Sequence, residues 1–161
     1  MRSRVALLLC ALITLSACAS TRTEETRPAN KSSDVIINVV GDVHGESVIK
    51  REAILPLKRY FKDGDLNIFN LETAITDEVK KEEKQYNFRT NAVFLKTLKS
   101  IGLNVATIAN NHSYDFGEKG FLDTLSALDK AKISYVGGGV NRDIAYQGQI
   151  YTVKGLKIGV L

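Results

Sequence analysis

Both histidines of the chain lie in short polar clusters that directly follow apolar runs. Asp42 and His44 are two residues apart, so in an extended segment their side chains project to the same side and can share one ion. Carboxylate oxygen, imidazole nitrogen and amide oxygen together form a ligand set for a divalent metal such as Mn, Fe or Zn. A second ion could use Asn111, with Glu72 between the two ions. The residue types therefore predict a metal site.

Each cluster also has a simpler structural interpretation when it is taken alone. An Asp-x-His sequence after a strand commonly forms a turn with a solvated histidine, Asn111 and His112 could cap the next turn, and Glu72 could be an exposed loop acid. The metal hypothesis is stronger for the three clusters together, because they follow three successive predicted strands. The carboxyl ends of parallel strands meet at one edge of a sheet, where functional groups gather.

Apolar runs and amphipathic stretches alternate from residue 34 onward, and this alternation predicts the elements that position the clusters. Strands are predicted at 35–40, 66–71, 103–109 and 133–136, helices at 46–62 with a kink at Pro56, at 91–102 and around 121–128, a surface insertion at 76–88 and a hairpin at 150–161. Strands separated by helices of this length predict an α/β fold, with a mainly parallel sheet flanked by helices on both faces.

The clusters also carry a family resemblance. The string Gly41-Asp42-Val43-His44-Gly45 resembles the first block of calcineurin-like metallophosphoesterases. Its combination with Asn70-Leu71-Glu72, with 109–117, with 120–125 and with 135–139 is similar to the CapA/PgsA-like proteins of poly-γ-glutamate capsule production, a branch of that superfamily. The resemblance covers residues 35–161. It implies the N-terminal half of a metallophosphoesterase α/β sandwich.

The resemblance implies roles for single residues. Asp42 and His44 would hold a first metal, Glu72 would take the place of the bridging carboxylate, and Asn111 would hold a second metal. Two such ions lower the pKa of a bound water and neutralise charge in phosphoester hydrolysis. His112 would stand beside the substrate phosphate as an acid or charge stabiliser.

Three features depart from or qualify that pattern. Asp115 could orient His112 or simply cap the turn. Glu72 stands where the wider superfamily uses aspartate, and Asn110 where it usually has glycine. No histidine follows His112, and the sequence stops at Leu161 within an apolar strand. We therefore expect a C-terminally truncated chain with an incomplete two-metal site.

The N-terminus has the pattern of an export signal. Arg2 and Arg4 precede an apolar run at 5–15, which is too short to span a bilayer, and Leu15-Ser16-Ala17-Cys18 resembles a bacterial lipobox. We expect a lipoprotein signal peptide at 1–17, a lipidated Cys18, a flexible tether at 18–33 and a folded part at 34–161. The product would be exported and anchored to the cell membrane or the outer membrane. A conventional signal with an incidental cysteine is the alternative.

Composition limits the classes of function. The 161 residues are 44% hydrophobic and 25% charged, with a net charge of +4, which is typical of a globular protein and gives no support for nucleic-acid binding. The glycines at 137–139 lack the neighbours of a nucleotide-binding loop.

Two hypotheses for the function remain. The first is a metal-dependent phosphoesterase-like enzyme that acts on an anionic polymer or a phosphorylated substrate. The second is a non-catalytic subunit of the capsule synthesis and export machinery.

Overall fold

The structure is a computed structural model that describes residues 34–45 and 51–161. The predicted signal peptide, Cys18 and the tether lie outside the described residues. The strands are β1 (Ile37–Val43), β2 (Leu66–Leu71), β3 (Ala74–Ile75), β4 (Arg89–Thr90), β5 (Val105–Thr107), β6 (Ser134–Val136), β7 (Gln149–Val153) and β8 (Leu156–Val160). The helices are α1 (Arg51–Ile54), α2 (Lys58–Phe61), α3 (Ala92–Ile101), α4 (Gly117–Ala131) and α5 (Arg142–Tyr146).

Four strands form a parallel sheet in the order β1-β2-β5-β6. Each helical connection moves one position in the same direction across this sheet. Because such crossovers are right-handed, α1 to α4 all lie on one face. The predicted α/β fold with a mainly parallel sheet flanked by helices is confirmed. The expectation of helices on both faces is wrong for α1 to α4, and Val39 on the opposite face is 72% exposed.

The core lies between the sheet and this helical layer. Phe69 and Ala106 on the central strands are fully buried against Leu95 and Leu98 of α3 and Leu128 of α4. Asn91 caps α3, since its side chain accepts a hydrogen bond from the Val93 N–H, and Gly102 ends the helix with φ at 109°. The packed layer gives the strand ends a rigid frame.

Several elements differ from the sequence expectations in detail. Residues 46–50 of the predicted 46–62 helix lie outside the described residues, and the rest is interrupted by a 3-10 turn at Leu55–Leu57, where Pro56 lacks a backbone donor. β3 and β4 form a small parallel pair that flanks the predicted insertion. α5 was not predicted. The hairpin β7–β8 is confirmed, and it forms a separate two-stranded sheet.

No helix in the described ranges is long and apolar enough to cross a membrane.

Candidate functional site

A chain of side-chain hydrogen bonds joins the carboxyl ends of β1, β2 and β5. The Asn70 amide nitrogen donates to Asp42 Oδ1 at 2.7 Å, and Asn70 Oδ1 accepts from the Asn110 amide at 3.0 Å. The Asn110 amide also donates to the Leu71 carbonyl, and Asn110 Oδ1 accepts from the His112 N–H at 3.0 Å. The predicted convergence of these three strand ends follows from the parallel register, which pairs Asp42 with Asn70.

His112 lies between two carboxylates. Its Nδ1 is 2.8 Å from Asp115 Oδ2, and its Nε2 is 4.0 Å from Glu72 Oε1. The ring is nearly buried and Asp115 is completely buried. A carboxylate at Nδ1 favours the tautomer with the proton on that nitrogen, so Nε2 faces Glu72 as the atom free to bind or exchange a proton. Of the two roles considered for Asp115, this contact supports the orientation of His112.

The predicted surface insertion is attached to this site. In the segment 77–88, the Glu82 N–H and the Asn87 amide both donate to the Asp115 carbonyl, and the Phe88 N–H donates to Asp115 Oδ2. The Lys84 ammonium forms an ion pair with Asp115 Oδ1 and donates to the Asn111 carbonyl at 2.6 Å. The 77–88 segment therefore supplies the positive charge and donors that a buried carboxylate needs.

The aromatic side chain of Phe88 contacts both histidines. Its ring stacks on His44 with a centroid distance of 4.9 Å and lies tilted by 32° against His112 with a centroid distance of 4.3 Å. His44 is exposed. Phe88 is therefore a ring neighbour of both imidazoles.

The predicted metal ligands can be compared with this arrangement. Asp42, His44 and Glu72 lie at the ends of two hydrogen-bonded strands, and the Glu72 N–H donates to the Val43 carbonyl. Their donor types suit a divalent cation. Within 34–45 and 51–161, no three His, Cys, Asp or Glu side chains are gathered closely enough to hold an ion. Asn111 is exposed. The metal-ligand assignment stays a prediction.

Sequence reasoning missed four residues that shape the site. Asn70 and Asn110 connect the strands, and Lys84 and Phe88 bring a charge and a ring from the insertion. The position of Asn70 two residues before Glu72 was a usable signal, because alternate residues of a strand share a face. Nothing in the spacing of Lys84 and Phe88 indicates that their segment folds back onto Asp115.

The fold and site together define an α/β protein with a buried His–Asp pair at the carboxyl edge of a parallel sheet. A family model described as the bacterial capsule synthesis protein PGA_cap matches residues 23–161. The chain belongs to this family.

Curated relatives agree with the family match. The chain is 29% identical over 175 residues to the capsule biosynthesis protein CapA of Bacillus anthracis, an alignment that covers 98% of this chain and 42% of the relative. It is 29% identical over 154 residues to the PGA biosynthesis protein CapA of Bacillus subtilis, with 85% of this chain and 40% of the relative covered. A probable polyglutamine synthesis accessory protein of Mycobacterium tuberculosis is 36% identical over 90 residues, 55% of this chain and 24% of that protein. The chain thus spans about two fifths of the length of the two CapA relatives.

Proposed function

We propose that this protein takes part in the synthesis or export of a capsular polymer of the poly-γ-glutamate type. The family match and the names of the relatives, which refer to capsule, PGA and polyglutamine synthesis, support the process. Its ligand is an anionic polymer or a phosphorylated precursor, and its partners are other components of the capsule synthesis and export machinery.

The observation that carries a chemical role is the position of His112. Its Nδ1 contacts the Asp115 carboxylate, which also forms an ion pair with Lys84. Its Nε2 faces Glu72, at the edge of the sheet where Asp42 also lies. An imidazole held in this way can give a proton to a leaving oxygen or take one from a nucleophile. The site supports acid–base chemistry on a ligand bound at the strand ends.

A divalent cation, Mn, Fe or Zn, is part of this proposal. Asp42, His44 and Glu72 would hold it, and Asn111 would hold a second ion. A bound cation would supply positive charge against a phosphate or carboxylate and would lower the pKa of a bound water. Metal content of the purified full chain tests the assignment. Asp42→Asn should reduce bound metal severalfold, whereas Asp63→Asn, on the exposed turn before β2, should leave it unchanged; equal content in both variants contradicts the assignment.

Anchoring at the envelope is proposed through Cys18. Labelling with a radioactive or clickable fatty acid in the host should mark the wild-type protein and lose the mark in Cys18→Ala. Cys10→Ala is the matched control, because Cys10 lies within the predicted signal peptide and should not affect the label. A label that persists in Cys18→Ala would exclude the anchor.

Polymer production tests the function itself. The gene product is replaced in its own host by His112→Asn or by Lys157→Ala, an exposed change on β8, and secreted polymer is weighed and sized. Catalysis predicts at least a tenfold loss of polymer in His112→Asn and none in Lys157→Ala. If His112→Asn secretes as much polymer as the wild type, and polymer is lost only when the gene is deleted, the protein is the non-catalytic subunit instead.

A further inference from the structure

A hollow in the surface adjoins the strand-end site on the side of β6. Its volume is about 640 Å³, and it lies between the turn that carries Asn110 and Asn111 and the loop at 137–142. Among the described residues, Arg142 is the only charged side chain in its lining, and no carboxylate lines it. The hollow therefore differs in charge from the neighbouring edge with Asp42 and Glu72.

The glycines of this loop are required by packing. Gly137 has φ at 84°, and a Cβ atom there would lie 2.8 Å from the Ala109 Cβ. A Cβ atom on Gly138 would lie 2.5 Å from the Ile108 side chain. Only glycine allows the loop to lie this close to the end of β5. The close packing holds the loop backbone in one position.

The loop keeps hydrogen-bond donors available. Among the described residues, the N–H groups of Gly137, Gly138 and Gly139 donate to no acceptor. Backbone donors of this kind normally find a partner in the protein, in water or in a ligand. The three glycines line the hollow. Their backbone N–H groups are therefore donors that water or a ligand can use there.

The remaining polar lining adds further donors. The Arg142 guanidinium lies 5.6 Å from the centre of the Tyr146 ring and forms no ion pair with any described residue. The Asn111 side-chain amide and the Tyr114 hydroxyl also have no hydrogen-bond partner in the described part of the chain. A guanidinium with several neutral donors and no carboxylate selects a ligand group that accepts hydrogen bonds and carries negative charge.

We propose that this hollow binds an anionic oxygen group, a carboxylate or a phosphate, with Arg142 as its cation and the glycine N–H groups as donors. The inference rests on the proposed function for the source of that group: a carboxylate of a γ-linked glutamate chain or a phosphate of a precursor. Because Asn110 lines this hollow and its Oδ1 also accepts a hydrogen bond from the His112 N–H, a ligand held here would extend toward His112.

Amide NMR shifts of the full chain test the proposal without any measurement of activity. The labelled protein is titrated separately with a short γ-linked glutamate oligomer and with inorganic phosphate, and the shifts of Gly137, Gly138 and Gly139 are followed. Binding should shift these amides and should weaken on the order of tenfold in Arg142→Ala, as expected for the loss of a charge-assisted hydrogen bond. The tighter of the two anions identifies the source.

Arg59→Ala is the matched control. Arg59 also lies over a neighbouring ring, that of Tyr60, but it is on α2, which leads into the amino end of β2. Binding should be unchanged in this variant. Equal weakening in Arg59→Ala and Arg142→Ala, or no shift of the glycine amides with either anion, overturns the proposal.

The two proposals fail differently. If no anion binds but His112→Asn has a polymer defect, only the proposed anion site is wrong. Arg142-dependent binding together with normal polymer after deletion of the gene overturns the proposed function alone.

Discussion

The two ends of the parallel sheet both carry asparagines that connect neighbouring strands, yet they are completed in different ways. At the amino end, the Asn67 amide nitrogen donates to the carbonyls of Phe61 and Gly102, and its Oδ1 accepts from Asn38 at 2.6 Å. The Asn67 N–H donates to Asn104 Oδ1 at 2.9 Å. Every polar atom of this buried side chain is used within the protein.

At the carboxyl end, the corresponding network leaves groups open. Asn70 connects Asp42 with Asn110, but Asp42 and His44 are exposed, and the closest approach of His112 Nε2 to Glu72 is 4.0 Å. The difference shows how polar strand-end residues can be classified. A network in which every polar atom has a partner within the protein stabilises the fold. A network that is held rigidly on one side and leaves polar groups accessible on the other can bind a ligand.

The largest expected effect comes from Asp115, a buried carboxylate at the carboxyl end. Asp115→Ala removes the acceptor of the Phe88 N–H, the partner of His112 Nδ1 and the ion pair with Lys84. Hydrogen bonds to charged groups contribute roughly 1.5–3 kcal/mol each, so the free energy of unfolding in urea should fall by about 3 kcal/mol or more. Asp129→Ala, an exposed change on α4, should alter it by less than about 0.5 kcal/mol. A similar small loss in both variants would contradict the structural role of Asp115.

The amino end should be the next most sensitive. Asn67→Ala leaves the Phe61 and Gly102 carbonyls and the Asn38 amide without their partner, so the free energy of unfolding should fall by about 2 kcal/mol. Asn111→Ala replaces an exposed asparagine at the other end and should cost less than about 0.5 kcal/mol. If the two variants are equally stable in urea, the contrast between the closed and open networks is wrong.

A smaller effect is expected from the ring that contacts both histidines. Phe88→Leu keeps an apolar side chain but removes the ring contacts with His44 and His112, and an aromatic pair is typically worth about 1 kcal/mol of unfolding free energy. The ring-proton shifts of both histidines should move at the same time. Tyr86→Leu, two residues earlier and exposed, should change neither quantity. Unmoved histidine shifts in Phe88→Leu would exclude the contact of Phe88 with the two histidines.

The smallest effect concerns the pH dependence of the amino end. A hydrogen bond from the Ile36 N–H, followed by that from Lys154, lowers the pKa of Asp65 below its ordinary value of 3.8. A carboxyl group with a lowered pKa in the folded state stabilises it above the ordinary pKa, and this contribution is lost as the pH falls through the folded value. Stability should therefore decrease less between pH 6 and pH 3 in Asp65→Asn than in the wild type.

Asp63→Asn, two residues away on the same turn, is the control for this pH series. Its profile should follow that of the wild type. Identical slopes for Asp65→Asn and the wild type would show that the pKa of Asp65 is not lowered in the folded state.

The long, periodic elements could be predicted from the sequence. The strand at 66–71 has the predicted limits, and α3 lies within the predicted 91–102, because an apolar face, an asparagine cap and a terminal glycine all agree there. The first strand extends to Val43 rather than ending at 40, with a register shift between Val39 and Asp42. Irregular pairing of this kind has no signal in the residue pattern.

For the candidate site, the sequence by itself determined which reactive side chains follow which strands, since apolar periodicity and polar strand ends are local properties of the chain. Only the tertiary structure decided their neighbours: Lys84 and Phe88 reach Asp115 and His112 from a segment 24 to 31 positions earlier along the chain. Such contacts depend on how a charged segment folds back to satisfy a buried carboxylate. Burial and hydrogen bonding across the fold determine which of these contacts form, and the spacing of residues along the chain does not predict them.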